Sequence, residues 1–107
     1  MGTVGGVVQS AINARNNLFE TSIGIVSQLI ALAQQPLDIS RHFLTALDLV
    51  GQLPLTETQR SSVVRGLRKA ERMQTHQEFG AARHELGLVR RNLIRQQEEI
   101  SEKDTAR

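Results

Sequence analysis

The chain has 107 residues, of which 39% are hydrophobic and 22% charged, and it contains no cysteine. This length gives one domain with a modest core, the composition excludes a wholly disordered chain, and the lack of thiols excludes a disulfide framework or a thiolate metal site. The net charge of +2 hides an asymmetry: residues 1–59 carry −2, residues 60–97 carry +6, and residues 98–107 carry −2.

In chain order, the first expected element is a helix from about Thr3 to Gln34. Val4, Val8, Ile12, Phe19, Ile23, Val26, Ile30 and Ala33 recur at three- and four-residue steps and so line one face. Leu18, Ile25, Leu29 and Leu32 widen this stripe beyond what one neighbouring helix covers. Gly2, Gly5 and Gly6 weaken the start, so fraying is expected over residues 1–6. Pro36 is the expected stop, because its ring disfavours a helical conformation at Gln35. Arg15 falls inside the stripe; it either snorkels to water or pairs with an acid such as Asp48 or Glu57.

A second, short helix is expected from about Ile39 to Val50. Asp38 or Ser40 caps its start, and Gly51 is its expected left-handed stop. A third begins after Thr56, which has capping-box spacing to Gln59, and runs to about Gln74 with a thin apolar face of Val63, Val64, Leu67 and Ala70. Thr75-His76-Gln77-Glu78 reads as a second capping box, opening a fourth helix. There Phe79, Ala82, Leu86, Val89, Leu93 and Ile100 form a heptad seam with Gln96 in the remaining slot. One residue between the third and fourth helices implies a tight antiparallel hairpin. The expected fold is therefore all-α: a small four-helix bundle with a long N-terminal helix and a C-terminal antiparallel helical hairpin. Residues 1–97 form the single domain and residues 98–107 a polar, charged tail.

The main surface feature is a basic hairpin. Arg65, Arg68, Lys69 and Arg72 sit opposite the apolar stripe of the third helix, and Arg91 and Arg95 lie with His84 away from the seam of the fourth, flanked by Arg83 and Arg90. Eleven of the thirteen basic residues are arginine, whose planar fork grips phosphate or carboxylate through two hydrogen bonds. The first six are the candidate anion- or nucleic-acid-binding residues. The competing reading is a solvated face neutralised locally by Glu71, Glu78 and Glu85. With only three aromatic residues, all phenylalanine, stacking on single-stranded nucleic acid has little support. Duplex backbone binding needs only positioned cations and stays open.

Leu88 points away from the seam and Ile94 lies off its edge; with the over-wide stripe on the first helix, around Ile25 and Leu29, this motivates an oligomer interface. Gly80 and Gly87 lie one heptad apart, a spacing compatible with close helix approach or with chance. The histidines at 42, 76 and 84 lack metal-ligand spacing, no serine has a nucleophile-elbow context, and no glycine-rich phosphate loop follows a strand. No enzyme, cofactor or metal is expected. The apolar run Ile23 to Ala33 is far shorter than the ~20 residues of a spanning helix, and the start lacks the basic region of a secretory signal. An intracellular, cytoplasmic location is the favoured expectation, with a peripheral contact of the glycine-rich amphipathic start with anionic membranes as a minor alternative.

The expectation is a non-catalytic helical interaction protein that self-associates, as a dimer or higher, and presents its arginine face to an acidic partner. The alternative is sequence-independent binding of duplex RNA or DNA through the same face. In size and charge the chain is similar to small all-helical nucleic-acid binders, including viral proteins that coat double-stranded RNA; this is a likeness of class and assigns no residue.

Overall fold

The computed structural model describes residues 3–35 and 38–105, and the side chains of 11–35 and 38–103. Gly2, Pro36 and Arg107 lie outside the described residues, as do the side chains of Val4, Val8 and Asp104. Four helices follow in order: α1 (Thr3–Leu32), α2 (Ser40–Gln52), α3 (Glu57–Thr75) and α4 (Phe79–Thr105). Among the described residues, α1 packs on α2 and α4, and α3 packs on α2 and α4, so the helices close a ring with each touching two neighbours.

This ring explains the broad stripe of α1. Phe19, Ser22, Val26, Leu29 and Ala33 point into the core and are fully buried. Leu18, Ile23, Ile25, Ile30 and Leu32, on the two flanks, are half-buried and pack against the core. The two neighbouring helices, α2 and α4, take up part of the extra width. Leu29 is thus a core residue and not a candidate for an oligomer interface. Ser22 is tolerated in the core because its hydroxyl donates to the Leu18 carbonyl (2.8 Å) one turn back.

Neither Asp38 nor Ser40 occupies the N-cap of α2, which is Ile39 and has no side-chain cap; one residue earlier, the Asp38 carboxylate accepts from the Ser40 hydroxyl (2.6 Å) and backbone N–H (3.0 Å). These two bonds, the hydroxyl's first, hold the Asp38 carboxyl below its ordinary pKa. The expected glycine stop at Gly51 is not used. Gly51 lies inside the helix and no described glycine has a positive φ. The helix ends instead at Leu53, forced into an extended conformation (φ −72°, ψ 147°) by the Pro54 that follows.

The start of α3 matches its expected capping box. The Gln59 N–H donates to the Thr56 hydroxyl (3.2 Å), and the Gln59 side-chain carbonyl accepts from the Thr56 N–H (2.9 Å). The second expected box does not form. Thr75 is the last residue of α3, its hydroxyl donating to the Glu71 carbonyl (2.9 Å). Gln77 turns the chain with φ 63°, Glu78 N–H reaches the Met73 carbonyl (2.8 Å), and Gln77 N–H reaches that of Gln74 (3.0 Å). This is a Schellman C-terminal motif with glutamine where glycine is the usual residue. The Glu78 carbonyl then accepts from Ala82 N–H (2.9 Å) and begins α4. The hairpin is antiparallel as expected, with a three-residue connection, 76–78.

Gly66, rather than the Gly80–Gly87 pair, marks the close approach within this hairpin. A Cβ on Gly66 would sit 2.6 Å from Val89 Cγ2, whereas at Gly80 and Gly87 nothing lies within 4 Å. The inner seam of α4 buries Ala82, Leu86, Val89, Leu93 and Gln96. Helical backbone continues to Thr105, so residues 98–105 are the last turns of α4 rather than a separate tail. With principal extents of 57 × 21 × 19 Å the molecule is a rod, because α1 and α4 outrun the shorter α2 and α3.

Candidate anion-binding and docking face

Steps of three and four residues put Arg65, Arg68 and Arg72 along one outward strip of α3, opposite buried Val63, Leu67 and Ala70. All three are exposed, as are Lys69, Arg83, Arg90, Arg91 and Arg95. Local neutralisation is slight. Lys69 Nζ lies 3.7 Å from Glu85, tying α3 to α4 across the hairpin. Among the described residues, no carboxylate lies within 4.0 Å of Arg65, Arg68, Arg72 or Arg91, and Glu71 and Glu78 form no ion pair.

Arg60 belongs to the basic segment but not to the face. Its guanidinium donates to the Leu53 carbonyl (2.8 Å) at the end of α2 and lies 3.8 Å from Glu57, so it ties α2 to α3. Arg15 is half-buried. Of its two expected partners, Asp48 accepts from Gln52 (3.3 Å) and Glu57 lies 3.8 Å from Arg60.

On α4, Leu88 is 44% exposed and lines a shallow groove with Arg91, Asn92 and Arg95. A second shallow groove on α3 is lined by Glu57, Thr58, Ser61, Ser62 and Arg65. Arginine and hydroxyl donors thus share the outer surface of α3, and arginine shares that of α4 with an apolar side chain. Leu44 on α2 is more exposed still, at 64%, and was not singled out from the sequence because it stands alone on a polar face.

A polar relay anchors one end of this surface. The Thr56–Gln59 cap continues from the Gln59 amide to Gln96 Oε1 (2.5 Å), from Gln96 Nε2 to Asn92 Oδ1 (3.1 Å), and from Arg95 to that same oxygen (3.3 Å). Gln96 is buried at 7% exposure, yet its amide is bonded on both sides. The sequence signal was glutamine in an apolar heptad slot; its partner 37 positions away could be named only from the packing.

Among the described residues, no group of three His, Cys, Asp or Glu could hold a metal ion, and no helix is long and apolar enough to cross a membrane. No protein-family model, curated protein or solved structure matches the chain.

Proposed function

We propose that the protein is a non-catalytic helical interaction module that associates with itself and offers its arginine face to an acidic partner. The carrying observation is that Arg65, Arg68 and Arg72 stand exposed in one strip with, among the described residues, no carboxylate within 4.0 Å. Unneutralised guanidinium groups on a rigid helix are preorganised for bidentate carboxylate or phosphate contacts. The exposed Leu88 beside Arg91 and Arg95 favours a protein partner, since a leucine finds no complement on a phosphate backbone.

The second reading, sequence-independent binding of duplex RNA or DNA, rests on the same strip and on the +6 charge of residues 60–97. Size-exclusion chromatography with light scattering, with and without a 20-base-pair duplex RNA, separates the two. Duplex binding should weaken steeply with salt and be lost on changing Arg65, Arg68 and Arg72 together to Glu. No complex near 50 mM salt, or one that survives this reversal, rejects the nucleic-acid reading.

A further inference from the structure

α4 carries two seams. Opposite the buried one, His84, Leu88, Arg91, Arg95, Glu98 and Glu102 follow at alternating steps of four and three residues, which puts them in one outward line. All are exposed, and neither α3 nor α1 covers them, since those helices pack on the inner side where Leu86, Val89 and Leu93 are buried. Within one chain the pattern is unfavourable: Arg91 and Arg95 are like charges four residues apart, and so are Glu98 and Glu102. Intrahelical pairing does not relieve this, because Arg95 donates to the Asn92 side-chain Oδ1 and, among the described residues, no ion pair joins these arginines to Glu98 or Glu102.

The order basic, basic, acidic, acidic is complementary to itself when reversed. We infer that the outer seam of α4 pairs antiparallel with the same seam of a second copy of the chain. A two-fold axis between Gln96 and Gln97 sets Arg91 opposite Glu102 of the second copy and Arg95 opposite its Glu98. Symmetry repeats both pairs, so each cation meets an anion and each like-charge conflict is relieved by the opposite strand. Shifting either helix by a heptad sets Arg91 against Arg95 or Glu98 against Glu102, so the charges also set the register. Leu88 then lies against the end of the second α4, giving its exposed surface a contact. This rests on the self-association proposed above and assigns it a surface. It also divides the basic residues, leaving Arg65, Arg68 and Arg72 on α3 for the acidic partner and committing Arg91 and Arg95 to the second copy.

Sedimentation equilibrium of the full chain at low salt and micromolar concentration tests this. Arg91→Glu/Arg95→Glu makes the seam wholly acidic, and Glu98→Arg/Glu102→Arg makes it wholly basic. Each variant should retain the wild-type helical circular dichroism, as all four positions are exposed, yet dimerise at least about tenfold more weakly. An equimolar mixture should recover the dimer, because all four pairs become complementary, and so should one chain carrying all four changes. Undiminished dimerisation of either variant, or a mixture that stays monomeric, overturns this interface while leaving self-association through another surface. A wild-type chain that is monomeric throughout overturns both.

Discussion

The two ends of α3 carry nearly the same four-residue pattern and do opposite things with it. At the entry, Thr56-Glu57-Thr58-Gln59 closes a reciprocal capping box; at the exit, Thr75-His76-Gln77-Glu78 forms none, and its threonine bonds one turn backward to Glu71. What precedes each threonine decides the outcome. Before Thr56 the chain is not helical: Leu53 is extended and a tight turn at Pro54 joins the Leu55 N–H to the Leu53 carbonyl (2.8 Å), so the N–H and hydroxyl of Thr56, itself extended, face an unstarted helix. Thr75 arrives at the end of an unbroken helix, where the carbonyl of residue 71 is already in place to accept its hydroxyl. A capping motif therefore signals a helix start only where the preceding backbone is free to be extended.

The largest effect that would sharpen this contrast is at Gln59. Gln59→Ala should remove the return bond of the cap and strip buried Gln96 of a donor, for a loss of about 2 kcal/mol in urea unfolding. A loss no larger than that of Thr56→Ala would mean the link to α4 contributes nothing.

Midway along α3, Gly66→Ala sets helix propensity against packing. The added methyl meets Val89, which is 4% exposed, so an overpacking cost of about 2 kcal/mol should outweigh a propensity gain of about 1. Gly87→Ala meets open space and should stabilise. Like signs for the two changes would contradict the close approach, and Val89→Ala should suppress the cost at Gly66.

Thr56→Ala should then lose about 1 kcal/mol, the usual value for an N-cap. At the other end, Gln77→Gly should raise stability by about 0.5–1 kcal/mol, since glycine takes the left-handed conformation without strain. A destabilised Gln77→Gly protein would show that the turn is not left-handed in solution. The smallest effect belongs to Thr75→Ala, which should stay within roughly 0.5 kcal/mol of wild type, as an exposed surface change does. A loss as large as that at Thr56 would restore Thr75 as a cap.

Much of the fold was legible because helical periodicity is local. The stripe of α1, the heptad of α4 and the Thr56 box each follow from residues within a few turns of one another, and Pro54 and the short connection 76–78 force the chain to reverse. Of the candidate site, the exposed positions of Arg65, Arg68, Lys69, Arg72, Arg91 and Arg95 were legible for the same reason, since each lies opposite a periodic apolar face.

The tertiary structure decided what depends on neighbours. Whether Leu29 is surface or core turned on α1 having two packing partners, which no spacing within α1 encodes. Which glycine is needed depended on the register between α3 and α4, which brought Val89 to Gly66 and left Gly80 and Gly87 facing open space. The use of Gln96 depended on Gln59, and the neutralisation of Lys69 on Glu85, each a pairing across the hairpin. The sequence by itself determined the helices and their faces, because backbone hydrogen bonds and side-chain periodicity act over a few residues. Only packing determined which faces meet, because close contact between distant segments is settled by shape and burial over the whole bundle.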